Sequence, residues 1–158
     1  MASNTAPVSI DTAAPVISRR HLLIPAPRSL VWAAHVDVAR WPEWQSDISA
    51  VSIDGPFAPG STITWSTTGI PEPIPSAIYA VEPEQRTLWG GPAMGIIGIH
   101  EWRFSDVASG TLAETKESWS GDLVDAEPAT MQTLLDASLD AWLGRLGKRA
   151  EAQKHRSG

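Results

Sequence analysis

The chain has 158 residues, enough for one domain with a core and little room for a second. Its composition is ordinary for a globular protein at 42% hydrophobic and 19% charged, and 12 Lys and Arg against 18 Asp and Glu give a net charge of −6. No basic stripe stands out, so no nucleic acid and no membrane surface is expected as a partner, and the lack of cysteine excludes disulfides, a thiolate nucleophile and Cys-ligated metals. No apolar run approaches the ~20 residues of a membrane span and no charged-then-apolar leader opens the chain, so a cytoplasmic location is expected.

Tryptophan is the compositional outlier: 8 Trp stand beside 2 Phe and 1 Tyr. Indoles bring large flat apolar area with one N–H donor, which suits both core packing and surfaces that hold flat ligands.

In chain order, residues 1–14 mix Ala, Ser, Thr, Asn and Pro without periodicity and read as a disordered lead-in. Residues 15–24 are strand-like and stop at Pro25-Ala26-Pro27. Pro27 suits a first helical turn, and Val31, Ala34, His35 and Val38 share one face of a short helix. Trp41-Pro42-Glu43-Trp44 reads as a second, very short helix. Six strand-like runs follow, at 48–53, 61–67, 74–81, 87–90, 97–104 and 111–120, punctuated by Asp54-Gly55-Pro56, Pro71–Pro75, Glu82-Pro83-Glu84, Gly90–Gly95 and Ser105–Gly110. Short links imply an antiparallel meander. A long helix over about 127–153 closes the chain, with Met131, Leu135, Trp142 and Leu146 on one stripe that Ser138 interrupts. Residues 152–158 are expected to be a flexible tail. The fold class is therefore α+β: a seven-stranded curved antiparallel sheet around one long C-terminal helix, with two short helices after the first strand, over residues 15–151. The hollow between sheet and helix is the expected site.

Parity narrows the candidates. Between Gly98 and Phe104 the even residues Gly98, His100, Trp102 and Phe104 read as inward; between Thr111 and Trp119 the odd residues do, including Thr115 and Glu117. A loop at Ser105–Gly110 sets His100 opposite Thr115 and diagonal to Glu117, with Arg103 near Glu114 and Glu101 near Lys116 on the outer face. Glu117 is then the charged residue on the inner face of its strand. A carboxylate and an imidazole among indoles can serve as a general acid/base pair or a polar anchor, or simply satisfy one another. Both readings stay open. Trp41 and Trp44 are the expected entrance; Trp65, Trp89, Trp102, Trp119 and Trp142, with Met131 and Leu135 on the helix, are the expected ligand-binding walls. His21, His35 and His155 show no ligand spacing with His100, so no metal is expected. Gly90–Gly95 lacks the Lys-Ser/Thr ending of a phosphate loop and reads as a hairpin.

The ordered set Val31-Trp32, Asp37, Trp41-Pro42-Glu43-Trp44, Gly60-Ser61, His100-Glu101-Trp102-Arg103-Phe104, Gly110-Thr111 and Glu117-Ser118-Trp119-Ser120-Gly121 before a long helix resembles the START-like (SRPBCC) superfamily, in its polyketide cyclase/dehydrase and lipid-transport branch. The resemblance spans roughly Val16 to Ala150. It implies a helix-grip fold enclosing a hydrophobic cavity, a small hydrophobic ligand such as a lipid, sterol, hormone or polyketide, and, in some members, cofactor-free cyclisation or dehydration. Aromatase-type members use a cavity arginine; here Arg86 and Arg103 lie on or beside strands, and parity turns Arg103 outward. The function expected is binding of a hydrophobic, polyketide-like or polycyclic molecule in a Trp-lined cavity, with cyclase/dehydratase (lyase) chemistry at His100 and Glu117 as its catalytic form and no cofactor. The alternatives are non-catalytic small-molecule or lipid transport and a partner-dependent interaction module.

Overall fold

Apolar–polar alternation and closely spaced turn residues build seven strands in the computed structural model, which describes residues 6–157. They are β1 (Val16–Ile24), β2 (Ile48–Ile53), β3 (Thr62–Thr67), β4 (Ile74–Glu82), β5 (Arg86–Ala93), β6 (Ile96–Val107) and β7 (Gly110–Ser120). Every neighbouring pair is antiparallel, in the spatial order β1-β7-β6-β5-β4-β3-β2. Helices α1 (Arg28–Val36) and α2 (Trp41–Trp44), joined by a 3-10 turn at Val38–Arg40, link β1 to β2. A short α3 (Asp122–Ala126), not expected from the sequence, leads into α4 (Pro128–Ser157). Pro128 occupies the first turn of α4, where its missing N–H costs nothing.

Helix α4 buries Met131, Leu135, Leu139, Trp142, Leu146 and Ala150 against the concave face of the sheet. These residues recur every three or four positions, so one stripe meets the sheet along the helix. Two apolar clusters result. One joins Trp41, Trp89, Trp102, Phe104, Trp142 and Leu146; the other joins Val16, Val124, Met131, Leu135 and Leu139, with Ile96 and Trp119 packed on it. Ser138, which interrupts the sequence stripe, lies in the gap between them.

Three expectations are corrected. Residues 6–14 do not trail away: Ile10 is 3% exposed and packs with Leu88 and Ile99 on the convex face, and the Asp11 amide donates to Ser118 Oγ at 2.9 Å. Low complexity concealed one apolar residue with a matching patch; residues 1–5 of the lead-in lie outside the described residues. The expected tail continues as helix through 152–157, and Gly158 lies outside the described residues. The strands around the β6–β7 hairpin run longer than punctuation indicated, because Ser105, Asp106 and Val107 pair in the sheet and only Ala108 and Ser109 form the turn.

The convex face carries a charged lattice that fixes β6. Glu101, 2% exposed, receives Arg86 Nε at 2.7 Å, with Arg103 Nε at 3.2 Å and Lys116 Nζ at 3.4 Å. Burial pushes the Glu101 carboxyl up, but the Arg86 hydrogen bond and the charges of Lys116, Arg103 and Arg86 outweigh it and hold it below the usual range. Arg86 Nη2 also donates to the Val8 carbonyl at 2.6 Å, so the N-terminal segment closes the lattice.

Trp102 is the centre of the core rather than its lining, fully buried with its ring 5.0 Å from His35 and 5.3 Å from His100. Trp102→Ala is expected to lower unfolding free energy by about 3–5 kcal/mol in urea denaturation, whereas Trp65→Ala, at a half-buried position, is expected to cost less than half as much.

Candidate functional site

The gap between the two clusters is a cavity of about 340 Å³, walled by Trp41, Trp65, Trp89, Trp119 and Trp142 together with Ile63, Ile74 and Ile96. Its polar groups are His100, Glu117, Ser76 and Ser138. Its rim comes from the β3–β4 connection at Gly69-Ile70-Pro71, the β5–β6 turn at Met94 and Leu123 of α3. Gly90 in its wall is required by close packing: a Cβ there would stand 2.0 Å from the Gly98 carbonyl oxygen on β6.

Of the candidate ligand-binding residues, Trp41, Trp65, Trp89, Trp119 and Trp142 line this cavity; four others do not. Trp44 packs edge-on against Trp142 at 5.8 Å, from outside the cavity, and Trp41 is 1% exposed, so neither is an entrance. Trp102 is enclosed by other rings. Met131 and Leu135 belong to the packed cluster at the start of α4. A helix stripe shows which residues turn inward, not where the interior is filled.

The inner-face parity of β6 and β7 holds, while the register differs by two residues because the hairpin turn is centred one residue further along the chain, on Ala108-Ser109. His100 therefore lies directly opposite Glu117, not diagonal to it, and Trp102 opposite Thr115. A two-residue difference preserves which face each side chain occupies. His100 Nδ1 is 3.2 Å from Glu117 Oε1. Glu117 Oε2 accepts the Trp119 indole N–H at 2.6 Å. His100 Nε2 is 2.7 Å from Thr115 Oγ1, and that hydroxyl donates to the Glu101 backbone carbonyl at 3.0 Å. Gly98 makes room for the group, since a Cβ there would meet Glu117 Oε2 at 3.3 Å and Trp119 Cδ1 at 3.4 Å.

Burial dominates the electrostatics. It pushes the Glu117 carboxyl up to about 7, against the opposing pull of the Trp119 hydrogen bond, and pushes the His100 imidazole down to about 3. The pair is therefore neutral in mildly acidic solution, with the acid on Glu117. His35, which the sequence did not single out as a site residue, is buried behind Trp89 and Trp102 with Nε2 2.8 Å from Thr87 Oγ1. Burial, and secondarily any charge on His100, holds its pKa well below the usual value. No arginine lines the cavity: Arg86 and Arg103 both face the Glu101 lattice on the convex side. Among the described residues no cluster of His, Cys, Asp and Glu has the geometry to hold a metal.

The model of the family described as polyketide cyclase/dehydrase and lipid transport matches residues 16–151. The chain belongs to this family. Its fold is the START-like helix grip. A START superfamily protein from Mycobacterium smegmatis superposes with a TM-score of 0.74 at 12% identity, covering 87% of this chain and 98% of that one. The di-domain ARO/CYC proteins StfQ, of the steffimycin biosynthetic pathway, and BexL, of the BE-7585A pathway, superpose with TM-scores of 0.72 and 0.71 at 13% and 20% identity, each over 89% of this chain. The chain spans about half the length of those two, 52% in each case. No curated protein sequence matches significantly.

Within this polyketide cyclase/dehydrase family member, the perturbed carboxyl is expected to leave a pH-dependent mark on stability. Because the Glu117 pKa rises from 4.5 to about 7 on folding, its contribution is fully present below pH 4.5 and lost as pH climbs through 7. His100, lowered from 6.5 to about 3, contributes in the opposite sense: fully above pH 6.5, and lost as pH falls toward 3. Comparison with Glu117→Gln isolates the carboxyl. The stability of the wild type relative to this variant is expected to decline by up to about 3 kcal/mol between pH 4.5 and 7, and to be level on either side, in denaturant titrations across that range.

Proposed function

We propose that the protein binds a flat, mostly apolar molecule of two or three fused rings in the tryptophan-walled cavity, and that Glu117 and His100 move a proton on it without a cofactor. The observation that carries this reading is a carboxyl group at the wall of a tryptophan-lined cavity with its Oε1 3.2 Å from an imidazole nitrogen, in surroundings whose burial pushes its pKa up to about 7. The family description and the likeness to di-domain ARO/CYC proteins support it from outside the site.

The cavity volume, about 340 Å³, lies at the lower end of the roughly 300–1,000 Å³ typical of small-molecule sites, which favours a compact ring system. Most of the affinity comes from burying apolar area, about 25 cal/mol per Å², with indole faces selecting flat ligands. The chemistry that suits the pair is dehydration of a β-hydroxyketone. As pH rises through about 7 and Glu117 gives up its own proton, its carboxylate becomes able to take the proton from the carbon between the carbonyl and the hydroxyl-bearing carbon. The same proton then passes to the departing hydroxyl, so that C–H and C–O bonds break, a C=C bond forms and water leaves. His100 holds Glu117 in place through Nδ1 and is the alternative site for the proton.

Two measurements test this. Phenanthrene is expected to quench tryptophan fluorescence saturably, with roughly fivefold weaker binding in Trp65→Ala and no change in Met131→Leu. The bicyclic β-hydroxyketone 3-hydroxy-1-tetralone loses water to give 1-naphthol, followed by its absorbance. Acceleration by the wild type that falls at least about a hundredfold in Glu117→Ala and His100→Ala supports catalysis; binding without acceleration assigns the cavity to carriage alone.

A further inference from the structure

The hydrogen atoms around Glu117 can be counted. The Thr115 hydroxyl has one, committed to the Glu101 carbonyl at 3.0 Å, because a carbonyl can only accept. Thr115 Oγ1 must then accept from His100 Nε2 at 2.7 Å, which fixes the N–H of the neutral ring on Nε2 and leaves Nδ1 bare. Nδ1 accepts from Glu117 Oε1 at 3.2 Å, which takes the carboxyl proton. Glu117 Oε2 accepts the Trp119 N–H at 2.6 Å. Every proton of the cluster is thus directed at another protein atom. What remains on the cavity side is the unused lone pairs of the two carboxyl oxygens.

From this count we infer that the Glu117 end of the cavity recognises a hydrogen-bond donor, so the molecule the protein takes is a hydroxyl-bearing ring compound, a phenol or enol, oriented with its O–H on Glu117. A ketone or ether oxygen at this end meets lone pairs only, and a buried acceptor without a donor is costly. Carbonyl groups belong at the other polar positions, Ser76 and Ser138. Ser76 Oγ accepts from the Trp65 indole at 3.1 Å and keeps its own proton to donate. Thr115 is the positioning residue, setting the imidazole tautomer without reaching the cavity. The inference rests on the cavity being the binding site, and adds the polarity of its ligand.

Isothermal titration calorimetry at pH 6 with 2-naphthol, 2-methoxynaphthalene and 2-acetylnaphthalene tests it, because the three share a ring system and differ in offering a donor or only an acceptor. The wild type is expected to bind 2-naphthol about tenfold more tightly than either of the others. Glu117→Gln keeps the shape but adds a hydrogen: one amide N–H goes to His100 Nδ1 and the second faces the cavity. This variant is expected to gain affinity for 2-acetylnaphthalene and to lose most of the preference for 2-naphthol. Thr115→Val, which frees the tautomer, is expected to narrow the preference with little change for 2-methoxynaphthalene. Equal binding of all three by the wild type, preference for the ketone, or an unchanged ranking in Glu117→Gln would overturn the inference while leaving the cavity as a ring-binding site. If none of the three binds, the cavity reading falls and this one with it.

Discussion

A carboxyl group and an imidazole buried together among indoles cannot both keep the charges they hold in water. With Nδ1 and Oε1 3.2 Å apart and little solvent to stabilise ions, the two settle as a neutral hydrogen-bonded pair, acid on Glu117 and base on His100. The rest of the fold is arranged around that constraint. Trp119 supplies an N–H to the second carboxyl oxygen, Thr115 satisfies the far side of the imidazole, and Gly98 leaves the volume in which the group sits. Removing one member strands a buried polar atom on another, which costs more than the net worth of the bond itself.

The two faces of the sheet are tied to one another through residue 101. Its backbone carbonyl takes the Thr115 hydroxyl, while its side chain is gripped on the convex face by Arg86, Arg103 and Lys116. Arg86 in turn holds the Val8 carbonyl, so a segment that looked uninformative in the sequence covers the back of the strand that carries His100. The lattice keeps β6 in register, and the register brings His100 opposite Glu117. Clusters on either side of the gap prop the helix away from the sheet by means of Trp142 and Leu135, and the cavity is what their spacing leaves.

How much of this was legible in the sequence follows from which interactions are local. Strand parity is a property of period 2 and survived a misplaced turn, so His100 and Glu117 were rightly assigned to one face. Their exact opposition was not legible, because it depends on the turn being centred on Ala108-Ser109, one residue beyond the midpoint of Ser105–Gly110. The indole walls were partly legible. Trp65, Trp89, Trp119 and Trp142 do face the cavity, but Trp102 satisfies the same parity and is packed between His35 and His100. Periodicity says inward; only the packing of all layers says whether inward means filled or hollow. Ser138, the polar residue that interrupts the apolar stripe in the sequence, marks the place where the helix lines the cavity. His35 gave no such signal, since a buried histidine on a short amphipathic helix reads like any other core position.

The central claim, that Glu117 and His100 form a neutral pair with a fixed tautomer, can be read directly from the imidazole nitrogens. In nitrogen-15 NMR of the protein labelled at histidine, His100 at pH 6 is predicted to show a protonated Nε2 and an unprotonated, hydrogen-bonded Nδ1. Protonation of both nitrogens at that pH, or a proton on Nδ1 with Nε2 bare, would contradict it.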